Sequence, residues 1–430
     1  MNTIERQNRG VLYLLTFISP LLGFYVGIKN LNRKGKLAIF TLFGGLYGFT
    51  INLKEGSDGA THAQNLKEFY DITISDFFQK LISIILLKPL DDSATDFYIL
   101  TIYSIAGGLF QSPIVLFLIV GLVFGYFYGS AVLKVVNLEG VEKVSGIIIL
   151  LIITFAIHRS YDTMQSIRSW TGMWVLFNGV FSFYQTKQKK FLALALLSTF
   201  FHFMYFIVVI PVILAFLLKS VNKYFFILIY LVSFATNVNT IAISEQASQS
   251  DLTRTKLNSY YRVNKGVAFD PVLDRIQKSE SVWYLKYGKT ESVFYGTIYF
   301  IFFLIAFKML DKSVLTEVEY GLAITAILIA TTANFGSFIY TFYSRTMANA
   351  ATFILAVIVL LAIRGQFSLT ASTARKRFFV GVGILIFFPK MVYFVSNFLI
   401  MTSFYTIVAP VTVLFADETY SIRDVIDLIL

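Results

Sequence analysis

The chain of 430 residues is 57% hydrophobic and 14% charged, carries a formal net charge of +11 and contains no cysteine, which excludes disulfides, thiol catalysis and cysteine-ligated metals. Its apolar residues come in blocks of about 17 to 22, the length at which a helix crosses a hydrocarbon core, so a soluble domain of any size is excluded. The basic residues sit in short clusters between these blocks, where the positive-inside rule puts them, so the charge reports orientation and not a nucleic-acid partner.

In chain order, the first block, 10–28, follows Arg6 and Arg9 without a small-residue cleavage site and reads as an uncleaved span. Further blocks lie at 36–52, 112–133, 144–157, 169–184, 190–218, 224–243, 292–309, 319–335, 346–363, 378–397 and 398–416. Together they predict an all-α, polytopic integral membrane protein of about 11–13 transmembrane helices, forming a single membrane domain over 1–430. Three basic clusters are assigned to the cytoplasm: Lys29, Arg33, Lys34 and Lys36; Lys187, Lys189 and Lys190; and Arg364, Arg375, Lys376 and Arg377.

The segment 53–96 holds four lysines against eight acidic residues and is expected outside. Its stretch "ISDFFQKLISIILL" is apolar on one face, which predicts an amphipathic helix lying in the membrane interface. The block 97–110 is short, and counting it as a span would separate the next two basic clusters, so it reads as re-entrant or interfacial. Block 112–133 then runs inward and 144–157 outward, leaving His158 to Arg168 outside.

The run 191–218 would be about 42 Å long as one helix, against a core of about 30 Å. A single tilted helix would turn the polar loop 244–291 to the cytoplasm. A break near Phe201 and His202 keeps that loop outside and the last basic cluster inside, and is the preferred reading. Loop 244–291 carries Arg254, Arg262, Lys265, Arg275 and several aromatic residues. Gly121, Gly125 and Gly129 form a small-xxx-small strip for helix packing.

Arg168 and Arg345 each begin a span on the same predicted side. An arginine there either snorkels into headgroups or does chemistry. For Arg168 the functional reading is favoured because His158, Arg159 and Asp162 share its short outer connection. A lone histidine in an apolar helix is usually a core residue bonded to a carbonyl, and His158 takes that reading by default. His202 differs because it interrupts the longest apolar run where the helix breaks. The three histidines lack metal-ligand spacing, so no metal and no cofactor are expected. Arginine forks suit phosphate oxygens.

The stretch "SIRSWTGMWVLFNGVFSFYQTKQKKFLALALLSTFFHFMYFIVVIPVIL" resembles the EpsG-like branch of Wzy-type polysaccharide polymerases. Their pattern is an Ile-Arg opening a helix, a lysine-rich inner turn and a later Phe-His pair, although Ser169-Trp170 stands where they usually have Gln and small residues. Upstream, "EGSDGATHAQNLKEFY" is similar to their Gly-Thr-Asp outer-loop motif, and "TDFYILTIYSIAGGLFQSPIVLFLIVGLV" to their short helix followed by a span. The resemblance covers about residues 50–220.

It implies a GT-C-like fold and a metal-independent glycosyltransferase in the bacterial inner membrane, with its site facing the periplasm or exterior. Such an enzyme moves a growing glycan from undecaprenyl pyrophosphate to the terminal hydroxyl of a new lipid-linked repeat unit. By the same resemblance, Arg168 would clamp the leaving pyrophosphate, and His202 would orient or deprotonate the acceptor hydroxyl. Asp58 and Arg345 would bind acceptor and second phosphate, and His158, Arg159 and Asp162 would contribute binding contacts. Membrane lipids and a chain-length regulator are the other expected partners. A lipid-linked oligosaccharide flippase, or another membrane transferase, stays open as an alternative.

Overall fold

The computed structural model describes residues 3–54, 56–86, 96–137, 144, 146–218, 220–235, 262–264, 267–269, 315–337, 339–365, 391–416 and 419–429. Within them the regular secondary structure is helical apart from one pair of three-residue strands, Arg262–Asn264 and Val267–Phe269, paired antiparallel, and an isolated antiparallel bridge between Ser403 and Ser421. The rest of loop 244–291, the block 292–309 and Arg375 to Arg377 lie outside the described residues.

The first apolar block does not form one span. Helix α1 (Thr3–Ile18) stops at Ser19, and α2 (Pro20–Asn30) starts afresh. Proline has no N–H to donate and restricts the residue before it, so it suits the first turn of a helix better than the interior. Gly23 of α2 packs directly on the backbone of Thr16 in α1, a contact that requires a corner between the two helices.

Helix α3 (Arg33–Phe49) is capped by the Asn32 side chain, which accepts from the Gly35 N–H. It lies antiparallel to α7 (Pro113–Val135) along a seam where Gly44 and Gly48 face Gly121 and Phe117. Without Cβ atoms the backbones approach until carbonyl meets Cα, as expected for small-residue packing in a membrane helix pair. The predicted strip at Gly121, Gly125 and Gly129 therefore does pack against a helix, with Phe40 covering Gly129.

Between α3 and α7 the chain builds a cap at one end of the bundle. Helix α4 (Asp58–Asn65) is capped by Ser57, and α5 (Ile74–Ile85) by a Thr73–Asp76 capping box. As expected from its sequence, α5 is amphipathic: Ile74, Phe78, Ile82 and Ile85 are exposed, while Phe77, Leu81 and Ile84 pack on the core. Helix α6 (Phe97–Tyr103) continues as a π-turn, Ser104–Leu109. Asp96, just before it, reaches Arg168, and Gln111, just after it, reaches the Tyr70 carbonyl. Both ends of α6 thus lie at the same end of the bundle, in keeping with a re-entrant or interfacial segment.

Helix α8 (Gly146–Ile157) leads to the connection 158–166, and α9 (Ile167–Thr186) runs back through the core, buried along most of its length. Helices α10 (Lys189–Phe201) and α11 (Tyr205–Leu217) are the two halves of the long apolar run, broken at His202. Gly172, near the start of α9, touches Phe201 and Tyr205. Phe183, near its end, stacks edge-on against Phe216 at 5.0 Å. The chain therefore goes out along α10 and returns along α11, as the preferred reading requires.

Among the described residues the bundle also contains α12 (Lys223–Ala235), α13 (Glu317–Phe335), α14 (Tyr340–Ile363) and α15 (Met391–Met401). A short helix, α16 (Ile422–Ile429), ends the chain, with Leu428 and Ile429 exposed. Among the described residues, α7, α13 and α14 are long and apolar enough to cross a membrane. Part of the difference from the expected number lies in blocks outside the described residues, and within the described ones it has physical causes. Pro20 and His202 divide two of the blocks, and buried helices such as α9 trade hydropathy for the Gly, Ser, Thr and Asn side chains that let them pack.

Lys187 pairs with Glu317 at the start of α13, and Arg364 at the end of α14 pairs with Glu319. Arg33, Lys34 and Lys36 open α3 beside the C-terminal end of α7, whose Lys134 donates to Asn178 Oδ1 at 2.6 Å. The described members of all three basic clusters therefore gather at one end of the bundle. The acidic cap over α4 and α6 occupies the other.

Candidate functional site

At the capped end, α4, α9, the α10–α11 break and α14 converge on an open cleft of about 190 Å³. Its lining comprises Asp58, Thr61, His62, Asn65, Ser166, Arg168, Ser169, His202 and Arg345. Asp58, Thr61, His62 and Asn65 recur at helical spacing on α4 and so share one face. Four residues expected at the site from sequence (Asp58, Arg168, His202 and Arg345) meet here, although 287 positions separate the first from the last.

Arg168 is held from behind. Its Nη1 donates to Asp96 Oδ2 at 2.7 Å, and Asp96 is only 4% exposed. The other oxygen of Asp96 accepts from the backbone N–H of Phe203 at 2.8 Å. One buried carboxylate therefore orients the guanidinium and ties down the first residue after His202. A charge-assisted bond of this kind fixes direction as well as distance.

His202 is an extended residue, φ −155° and ψ 134°, so its ring can turn back on its own chain. Its Nδ1 accepts from the Met204 N–H at 3.0 Å, and its Nε2 lies 3.4 Å from Arg345 Nη1. Arg345 sits in the second turn of α14, where its carbonyl accepts from Asn349 Nδ2 at 2.8 Å. Tyr205 donates to the Ser169 carbonyl at 2.5 Å, joining α11 to α9 beneath the cleft.

Asp58 accepts from Ser166 Oγ at 2.5 Å. His62 binds the Tyr103 hydroxyl through Nδ1 at 2.6 Å. Burial, and then the neighbouring Arg168 charge, push the His62 pKa down to about 4, so its ring is neutral at physiological pH.

His158, Arg159 and Asp162 do not line the cleft. His158 is fully buried and its Nε2 lies 3.3 Å from the Ala348 carbonyl, the core role that a histidine in an apolar helix usually takes. The Arg159 guanidinium stacks on Trp170 at 4.0 Å, an arrangement that satisfies a cation in a dry setting. Asp162 is buried against Ser160 and the Asn397 amide. Burial raises its carboxyl above the usual range, and those two hydrogen bonds oppose the rise. The connection 158–168 is thus folded into the bundle, and of its charged residues only Arg168 reaches the cleft.

Sequence reasoning missed Asp96 and His62. The helical spacing Asp58, His62 behind an N-capping serine was a usable signal for His62; Asp96 carried none, since its partners are remote in the chain.

Two guanidinium groups, two histidines and one carboxylate around an open cleft can bind a phosphate or pyrophosphate and leave an oxygen acceptor for a proton. No family model, curated protein or solved structure matches the chain.

Proposed function

We propose that the protein is a membrane glycosyltransferase of the Wzy polymerase kind, transferring a growing glycan from undecaprenyl pyrophosphate to the terminal hydroxyl of a new lipid-linked repeat unit. The observation that carries this reading is the convergence of Arg168, Arg345, His202 and Asp58 on one cleft at the bundle end. A polyprenyl pyrophosphate needs cationic donors at headgroup depth, and guanidinium forks in a partly dry site stabilise the charge that develops on the leaving group. No metal ion enters this scheme.

Orientation follows from charge. With the basic clusters in the cytoplasm, the cleft opens to the outer face of the inner membrane, where lipid-linked repeat units are joined. The exposed apolar faces of α5 and α16 suit a collar in the outer headgroup layer, into which the lipid tails of both substrates extend. A GT-C-like architecture is part of the same proposal.

The reading is tested by surface-polysaccharide gels from a strain lacking this chain, complemented with the wild type or with Arg168→Ala. A ladder restored by the wild type and reduced to one repeat unit by Arg168→Ala is expected. Loss of even the single unit on deletion would point to export, and the polymerase reading would fall.

A further inference from the structure

The hydrogen bond from the Met204 N–H to His202 Nδ1 constrains what His202 can do. A backbone amide only donates, so Nδ1 must offer its lone pair, and a neutral ring then carries its proton on Nε2. A doubly protonated ring would set Nδ1–H against the Met204 N–H. The nitrogen nearest Arg345 is therefore a donor, and Arg345 is itself permanently protonated. Two N–H groups with nitrogens 3.4 Å apart cannot bond to each other. They can share an anionic oxygen.

A general base at Nε2 needs a lone pair there, which this geometry denies. Asp58 is the one carboxylate among the described residues lining the cleft. Its Oδ2 takes the Ser166 hydroxyl, and a carboxylate has further lone pairs to offer.

The geometry points to His202 as a fixed-tautomer donor that shares a phosphate oxygen with Arg345, and to Asp58 as the group that receives the proton of the attacking hydroxyl. The proton-transfer half rests on the polymerase reading; the tautomer and anion half does not. In the transfer, the acceptor O–H proton passes to Asp58 while the acceptor oxygen bonds to the anomeric carbon. The bond from that carbon to the pyrophosphate oxygen breaks, and its electron pair stays on the pyrophosphate, facing Arg168, Arg345 and the His202 Nε2–H. Asp58 then releases its proton to water.

The chain has three histidines, so ¹⁵N-histidine labelling of the full-length protein in lipid nanodiscs gives three rings, and His202→Gln identifies the ring in question. A protonated Nε2 and unprotonated Nδ1 are expected, with the Nε2 resonance moving saturably on adding inorganic pyrophosphate and not moving in Arg345→Ala. An unprotonated Nε2, or no response to pyrophosphate, overturns the donor assignment.

Polymer formation tests the other half. The amide of Gln can donate from near the Nε2 position, so His202→Gln should stay within about tenfold of wild type, while His202→Ala loses about 100-fold, as for other lost oxyanion donors. Asp58→Asn should lose about 100-fold or more. If His202→Gln falls as far as His202→Ala while Asp58→Asn keeps its polymer, the base is His202 and the assignment is wrong. Correct tautomer and pyrophosphate response in a protein that makes no polymer would instead sink the polymerase reading and leave the donor pair standing.

Discussion

Arg168 and Phe203, 35 positions apart, are held by opposite oxygens of the same buried carboxylate, Asp96, at 2.7 and 2.8 Å. This joins the first turn of α9 to the helix break that presents His202. A lysine at 168 has one compact ammonium in place of a planar fork, and cannot hold Asp96 and a phosphate in the same geometry. Arg168→Lys should therefore lose about 100-fold of polymer formation or more, read as ladder length at equal protein level. Near-normal ladders from this variant would remove the clamp role.

Removing Asp96 tests the support separately. Asp96→Ala leaves Arg168 without its counter-charge and the Phe203 N–H without its acceptor. A cost of about 3 kcal/mol is expected, the low end for breaking a buried pair, because Arg168 is 28% exposed. Asp96→Asn keeps an acceptor for Phe203 and should unfold at a temperature between Asp96→Ala and the wild type. Thermal unfolding in detergent measures both, and equal losses in the two variants would mean that the Phe203 bond contributes nothing.

His62 gives the site end a pH dependence of defined sign. Its pKa falls from 6.5 to about 4 on folding, so the folded state prefers the neutral ring. Between these values the unfolded chain binds more protons, and stability falls as the pH drops from 6.5 towards 4, by a total on the order of 3 kcal/mol. The contribution is fully present above pH 6.5. Comparing unfolding temperatures of wild type and His62→Gln at pH 7 and pH 4.5 isolates it from the carboxylates, which titrate in both. Parallel curves for the two proteins would show that His62 is not buried as described.

The elements that were legible in the sequence share a cause: each is set by local composition. The amphipathic α5, the break at His202 and the gathering of basic clusters at one end all follow from hydrophobic pattern and charge within short windows. The features that were not legible depend on distant partners. Asp96 looked like one acid among eight in a polar loop, because Arg168 is 72 positions away. Arg159 and Asp162 looked exposed for the converse reason, since Trp170 and Asn397, which bury and satisfy them, could not be paired with them in advance. The corner at Pro20 was readable, and hydropathy averaged over a long block concealed it.

The glycine seam between α3 and α7 gives a direct packing test. A Cβ on Gly121 would stand 2.1 Å from the Gly44 carbonyl oxygen, and one on Gly48 1.9 Å from that of Phe117. Backbone atoms cannot swing aside as a flexible side chain can, so the helices must separate. Gly121→Ala should destabilise the protein by about 1–3 kcal/mol, the usual range for overpacking. Gly146→Ala is the control, since a Cβ there meets nothing within 4 Å. Yield of monodisperse protein and unfolding temperature read the difference, and similar values for the two variants would rule out close approach at the seam.

At the opposite end from the cleft, Glu319 is nearly inaccessible, at 2% side-chain exposure. Its Oε2 accepts from the Thr316 N–H at 2.8 Å in a capping box, and both its oxygens accept from the Arg364 guanidinium. One side chain thus starts α13 and pins the end of α14, whose other end carries Arg345. Glu319→Ala removes the cap, worth about 1 kcal/mol, and takes this carboxylate from the exposed Arg364, so a loss of about 1–2 kcal/mol in stability is expected. The folded fraction should still bind inorganic pyrophosphate with unchanged affinity, because the cleft lies at the other end of α14. Weakened binding at full folding would mean instead that the Glu319–Arg364 pair sets the position of Arg345 along the helix, and that the two ends of the bundle are mechanically coupled.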